Sequence, residues 1–447
     1  MSSELVELAD RIVGWAHDDE QVEAIVVHER ETEIRVYEGE LESFTSAESQ
    51  GVGIRVIAGG KQGIAYAGTL DEDVITETLA EARDNTVFGS PDEFFGLAEP
   101  DGVAVPELDL YDAQIESFPT DDKIDMALEL ERSVVDGDAR IIGVESADYV
   151  DAVAEAAVAS TTGIRHSGRD SGCYVATYSL ASEGDDTQTG FGYSVARAPQ
   201  QLDVSLAATD AIDRATRLLG ASKAASERVT VVLDPYVTAQ FLGIIGATLS
   251  AESVLKGRSL FADRLGESVA APCLTLIDDP TDPDAFTATD TDGEGLASRR
   301  NVLIDGGMLD HFLQNSYTAR RLGTASTGSA VRSYNSTPAV GPHALSLVPG
   351  DRTQEELIAS VGDGVLIQGV AGLHSGVNPV SGDFSTGAEG LRIRAGQLAE
   401  PIREVTIAST LQRMLQDVVE VGADLERLPM NASGVSLVVT DITMSGE

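Results

Sequence analysis

From Arg228 onward, short apolar runs recur between Gly, Asp and Pro: VTVVLDP, CLTLIDDP, NVLIDGGMLDHFL, GVLIQGV, GLRIRAGQL and VSLVVTDI. This many short strands joined by tight turns predicts a curled sheet or a barrel-like β domain, the part of the chain in which a ligand cleft would be built. Two helices interrupt it, at Pro235 to Leu255 and at Ile407 to Val421. A chain of 447 residues is too long for one ordinary core, so this half is one of several domains.

The preceding half mixes helices and strands. Leu5, Leu8, Ile12, Val13 and Ala16 recur at helical spacing, and strands follow at Ala24 to Val27, Ile34 to Tyr37, Gly51 to Ile57 and Gly63 to Ala67, with a hairpin turn at Gly39. Thr69 to Glu72 has the spacing of a capping box before a helix from Val74 to Asn85. Phe88 to Pro119 reads as a linker or wandering loop. A second unit repeats the plan: a helix from about Asp121, strands at Ile141 to Ser146, Ala152 to Ser160, Ile164 to Gly168 and Gly172 to Ser179, and a long helix after Pro199. GELESFTSAESQGVGIRV and ASTTGIRHSGRDSGCYVATY share a faint likeness that suggests duplication. The expected architecture is α+β: an α/β unit over 1–90, a linker over 91–119, a second α/β unit over 120–225 and a β-rich, barrel-like domain over 226–447.

Charge narrows the partners. With 74 acidic and 30 basic residues the net charge is −44, which disfavours nucleic acid, because phosphate binding needs clustered Lys and Arg. The acids are dispersed over the whole length, a pattern that fits a halophile, since molar salt screens the self-repulsion. No apolar run approaches the ~18 residues that span a bilayer. The first residues, MSSELVELADRIVGWA, carry acids where a signal peptide carries basic residues, so a cytoplasmic location is expected. Cys173 and Cys273 lie in apolar contexts and read as buried thiols.

Local catalytic signatures are missing. GGKQG lacks the spacing of a phosphate loop, and Asp383-Phe-Ser385-Thr-Gly387 has Asp where a nucleophile elbow has Gly. None of the six histidines lies three to five residues from another, so a helical zinc site cannot be built from them. His374 stands out only for the dense Gly and Pro turns around it. Asp290 to Glu294 imitates the start of a calcium loop, but Asn301 at the twelfth position cannot close it; the stretch reads as a turn, with calcium or sodium binding left open. The DDPTDPDAF stretch before it reads as an acidic surface loop.

Several landmarks in register resemble the TldD/PmbA family of peptidase-related proteins, also called modulators of DNA gyrase. They are Ser259-Leu-Phe261 with Leu265-Gly-Glu267, Leu276 to Pro280, Asp292 to Gly295, Tyr317 to Gly323 with Ser326-Thr-Gly328, and Val377 to Ser385, supported by Ser43 to Val56 and Leu70 to Asn85. One branch of the family, TldD, carries a His-Glu-x-x-x-His helix and a late cysteine, which implies a zinc peptidase. Laid on that pattern, this chain has Gly243 and Thr248 at the histidine places and Ile244 at the general base, and Leu428 to Ser433 holds no cysteine. None of these side chains replaces a zinc ligand. The resemblance therefore implies the other branch, TldE or PmbA: a subunit with no cofactor of its own, paired with a zinc-bearing TldD-type subunit in a chamber that degrades or processes short unfolded peptides.

On that basis Arg320, Ser326, Thr327, Gly328, His374, Asn378 and Asp383 are candidates for substrate or partner contact, with turn chemistry as their alternative role. An extended peptide would be held by strand addition at an exposed edge of the β-rich half. The rival readings are a hydrolase active alone through Ser or Asp chemistry, and a homodimeric peptide-binding protein.

Overall fold

The computed structural model describes residues 2–446. Two units with the same order of elements come first. One runs α1 (Ser2–Val13), β1 (Glu20–Tyr37), β2 (Glu40–Ala58), β3 (Lys61–Ala67) and α2 (Glu72–Thr86). After the short helix α3 (Gln114–Ser117), the other runs α4 (Thr120–Gly137), β4 (Ile141–Ser160), β5 (Arg165–Glu183), β6 (Asp186–Ala196) and α5 (Val204–Thr216). β1 and β4 pair antiparallel, so the two units merge into one six-stranded sheet of order β3-β2-β1-β4-β5-β6. Apolar residues alternate onto the helical side, where α1 and α2 cover one half and α4 and α5 the other.

The strands are longer than the apolar pattern predicts. Ala24 to Val27 and Ile34 to Tyr37 belong to one strand, as do the two pieces read in β4 and the two in β5, and β6 is an element that the pattern did not mark. Residues 40–50 of β2 are exposed throughout, and only 52–58 pair with β3, so the first part of β2 is a free sheet edge. The expected capping box is not formed: α2 starts behind Asp71, which makes no side-chain cap, and the Thr69 hydroxyl accepts from the Asp71 amide at 3.3 Å.

The C-terminal half starts with β7 (Glu227–Leu233), α6 (Pro235–Thr248) and α7 (Ala251–Leu255). The helix expected over Pro235 to Leu255 is thus broken in two, because the Ser250 hydroxyl accepts from the Ser253 amide and starts a new helix. Short strands β8 (Leu276–Asp278), β9 (Asn301–Asp305) and β10 (Met308–Leu309) lead to α8 (Ser316–Leu322), β11 (Ala330–Val331), β12 (Ala339–Val340) and β13 (Leu345–Leu347). Then come α9 (Gln354–Val361), β14 (Gly364–Ala371), α10 (Leu373–Gly376), β15 (Asp383–Arg394), β16 (Gln397–Thr410), α11 (Leu411–Gln416), β17 (Val418–Val421) and β18 (Leu437–Ser445). The run Ile407 to Val421, expected as one helix, is the end of β16, a single helical segment capped by Thr410, and β17.

Strands β16, β15, β14, β7 and β18 form a closed five-stranded barrel, because β18 pairs back onto β16 at Thr406 to Ala408. Closure removes the free edges that an open sheet would offer to a peptide. Strand alternation splits the apolar residues: Val231, Leu233, Val365, Ile367 and Val439 join α6 in the largest core, whereas Val232, Leu366 and Val438 pack against Leu357 and Ile358 of α9. Cys173 is buried as expected, but Cys273 is exposed, and both are free thiols.

Candidate functional site

The helix that would carry zinc ligands is α6. Asp234 follows β7 directly and caps the helix by accepting from the Tyr236 amide, and Pro235 occupies its first turn. A Cβ added at Gly243 would meet nothing within 4 Å, so the place of the first histidine faces open space. Ile244 packs on the large core, and the buried Thr248 hydroxyl donates to the Ile245 carbonyl at 2.7 Å. No nitrogen, sulfur or carboxylate is presented here, and a zinc ion does not fit these residues. Among the described residues, no group of three or more His, Cys, Asp or Glu side chains could hold a metal ion.

A large cleft lies between the N-terminal sheet and loops of the C-terminal half, with a volume of about 740 Å³. Its floor is the sheet face opposite the helices. Strand register sets it out in rows: Ile25, Val158 and His166; Val27, Ala156 and Gly168; Glu29, Ala154 and Asp170; Glu31, Ala152 and Gly172. Residues 286–293 and 330–334, Arg197 and His343 form the walls. Tyr334 crosses β2 so closely that a Cβ at Gly53 would overlap its carbonyl, which explains the Gly51-Val-Gly53 sequence.

Several groups in this cleft are electrostatically poised. Burial and the neighbouring Glu33 and Glu29 carboxylates raise the pKa of Glu31, and burial with Glu29 does the same for Asp170. Burial lowers His343 to about 4, so its imidazole is neutral at pH 7; the ring donates to the Ala330 backbone, and its buried Nε2 has no partner. His166 Nε2 lies 3.1 Å from Asp290 Oδ2. Arg197 donates to the carbonyls of Ser171 and Ala285 at 3.2 and 2.8 Å.

Beside the cleft, a buried ionic cluster joins the halves. Arg55 Nε and Nη2 each donate to Glu23 at 3.0 Å, Arg332 pairs with the same carboxylate, and Arg55 lies 3.7 Å from Glu294. Glu294 accepts from the Ser316 amide and hydroxyl at 2.8 and 2.6 Å. Asp292 accepts from three amides, those of Glu294, Leu296 and Ala330. Asp292 and Glu294 therefore fix loops, and only Asp290 of the Asp290 to Glu294 stretch lines the cleft together with a side-chain partner, His166.

The seven sequence candidates fall into separate places. Arg320 on α8 donates to the carbonyls of Phe94, Gly96 and Leu97 and so straps the linker to the C-terminal half. Ser326 and Thr327 bond the Gln314 backbone, and Gly328 has a φ of +65° where a Cβ would meet the Ala297 carbonyl. Asn378 and Asp383 share one exposed turn: the Asn378 amide donates to the Asp383 carbonyl at 2.9 Å, while the Asn378 side chain accepts from Val380 and Ser381. His374 is exposed in α10 just before it. None of the seven lines the large cleft. Its own residues, Glu29, Glu31, Asp170, Arg197 and His343, carried no local motif, because β-strand register and distant loops assemble them.

Two α-β-β-β-α units sharing a sheet, set against a closed barrel with a cleft between, define a three-part α+β class of protein. The chain belongs to the PmbA/TldD metallopeptidase family. Three models of that family match in order: the PmbA/TldA metallopeptidase domain 1 over residues 22–86, the central domain over 114–219 and the C-terminal domain over 226–446. Among curated relatives, the metalloprotease PmbA of Escherichia coli O157:H7 is 26% identical over 391 residues, covering 87% of this chain and 84% of that protein. A metalloprotease of Methanothermobacter thermautotrophicus is 34% identical over 226 residues, covering 50% of this chain and 49% of that one. A solved structure of a candidate modulator of a DNA gyrase from Thermotoga maritima superimposes with a TM-score of 0.91 at 26% identity, over 98% of this chain and 99% of that one. TldE from Thermococcus kodakarensis shares the fold with a TM-score of 0.90 at 23% identity, covering 100% of both chains.

Proposed function

We propose that this chain is the TldE/PmbA-type subunit of a two-subunit metallopeptidase that degrades or processes short unfolded peptides. It carries no cofactor; zinc and the general base belong to a TldD-type partner. The observation that supports this reading is α6, where Gly243, Ile244 and Thr248 offer no donor at the places that the metallated branch fills with ligands. The contribution of this chain is to complete the chamber and line the path of the peptide. The working environment is a cytoplasm of molar salt, in keeping with the net charge of −44.

The test is peptide hydrolysis in molar salt by this chain alone, by a TldD-type companion alone and by the two mixed, with bound zinc quantified and a chelator control. Chelator-sensitive cleavage and zinc that appear only when the companion is present are the expected result. Cleavage or stoichiometric zinc with this chain alone would overturn the proposal.

A further inference from the structure

The seam between the second unit and the barrel domain is crossed by polar contacts in which carboxylates outnumber cations. Helix α5 brings Asp210 and, one turn on, Arg214; β6 brings Phe191 and Tyr193; the start of α6 brings Asp234 and Tyr236; and the loop 422–436 between β17 and β18 brings Glu426. Arg214 Nη2 donates to Asp234 Oδ1 at 2.9 Å, its guanidinium lies 4.5 Å from the centre of the Phe191 ring, and Phe191 packs on Tyr236 with 4.4 Å between ring centres. The Tyr193 hydroxyl donates to Glu426 Oε2 at 3.1 Å. Among the described residues, no cation lies within ion-pair distance of Glu426. Arg214 is taken by Asp234, Arg217 at the end of α5 pairs with Asp213, and Arg427 pairs with Asp282. Asp424 of the same loop accepts from the Ser436 amide and hydroxyl.

The loop that carries Glu426 has little freedom to slide. Glu426 and Gly434 exchange both backbone hydrogen bonds, at 2.8 and 3.0 Å, and a Cβ at Gly434 would overlap the Pro235 carbonyl. The Glu426 carboxyl is thereby fixed between β6 and the start of α6. Burial first, and then the Asp234 and Asp210 carboxylates, raise its pKa to about 7 against the pull of Arg214 and the Tyr193 hydrogen bond; burial raises Asp210 as well. A glutamate in water ionises near 4.3, so the stability that the neutral carboxyl gives the seam is fully present below about pH 4 and is lost as pH rises through 7. Largely buried charges are screened far less than surface ones, so the effect persists in molar salt.

We propose that Glu426 is a proton-operated latch: with its carboxyl neutral the second unit is held on the start of α6, and when it ionises α5 and β6 loosen from the corner at Asp234 and Pro235. Arg403 with Asp186 and the bridge between Ser222 and Ile402 join the two parts elsewhere, so the loosening is local. The latch belongs to this chain alone and does not depend on the peptidase reading above.

The test is hydrogen exchange of the full chain, read by mass spectrometry in the salt at which it is folded. Protection factors are compared between about pH 6 and about pH 8.5 for segments 186–216 and 422–436. They are expected to fall by about tenfold in the parent, while segment 51–67 of the first unit keeps its protection. Glu426→Gln retains an acceptor for Tyr193 and cannot ionise, so it is expected to match the parent at the lower pH and to stay protected at the higher one. Tyr193→Phe removes the hydrogen bond that favours the ionised carboxyl, so its loss of protection is expected at higher pH than in the parent. Flat protection in the parent, or a fall that persists in Glu426→Gln, would overturn the proposal; the second result would assign the titration to Asp278 or Asp292, whose carboxyls are also raised to about 7. Should Glu426→Gln not fold, an unshifted midpoint in Tyr193→Phe overturns it instead.

Discussion

Asp278 is fully buried at the end of β8, with Oδ1 accepting from the amides of His343 and Ala344 at 2.9 and 2.7 Å and Oδ2 left without a partner. Loss of water pushes its carboxyl up to about 7, above the unfolded value near 3.9. The folded state therefore holds this proton more tightly. Its contribution to stability is fully present below about pH 4 and is lost as pH rises towards 7, by up to about 1.4 kcal/mol per unit. Asp278→Asn keeps the acceptor oxygen and cannot ionise. The difference in unfolding free energy between variant and parent is expected to grow in favour of the variant from pH 4 to 7, measured by denaturant titration at fixed salt. A difference that stays constant across that window would rule out Asp278 as the titrating group. Nothing in DDPTDPDAF distinguishes this aspartate from its more accessible neighbours, and the stretch reads as a surface loop because burial of one acid depends on amides 65 and 66 residues away. The lack of donors at Gly243, Ile244 and Thr248 is legible for the opposite reason: side-chain type alone decides it.

Helix α8 shows how one element can organise a segment that has little structure of its own. The Arg320 Nε, Nη2 and Nη1 atoms donate to Phe94, Gly96 and Leu97 carbonyls at 2.8, 2.6 and 3.2 Å, while the Tyr317 hydroxyl donates to Asp92 at 2.8 Å. Arg320→Leu keeps much of the bulk and removes three charged donors. The expected cost is about 2–4 kcal/mol, with new proteolytic cuts mapped between residues 88 and 119. An unchanged denaturation midpoint and cleavage pattern would mean that other contacts hold the linker. Element existence was readable wherever apolar residues kept their period, as in α1, α4 and the barrel strands β7, β14 and β18. It failed where the cleft interrupts that period. Glu29, Glu31 and Glu33 break the apolar run of β1, so one strand of 18 residues reads as two short ones. Ile407 to Val421 failed differently: its apolar residues are spaced closely enough to imitate a helix, and only pairing of β16 with β15 and of β17 with β18 resolves it into strands.

At the scale of the whole molecule, a net charge of −44 acts against any compact state in dilute buffer. The buried pairs Arg55 with Glu23 and Arg214 with Asp234 are shielded from salt, whereas the dispersed surface acids are not. The thermal midpoint is expected to climb by several degrees between ~0.1 M and ~2 M potassium chloride, as the Debye length shrinks from about 10 Å to below about 3 Å. A midpoint that is flat over that range in calorimetry would mean that the surface acids do not limit stability. The barrel adds a constraint of another kind. Its first strand, β7, pairs with β14 on one side and with β18 on the other, and Leu437 meets Leu233 across about 200 residues of intervening chain. During synthesis, both N-terminal units can leave the ribosome and form their shared sheet while β7 still lacks a neighbour on one edge. The barrel therefore cannot close until β18 has emerged, so a message truncated before Leu437 would yield a chain with a finished sheet and an open, adhesive remnant of the barrel.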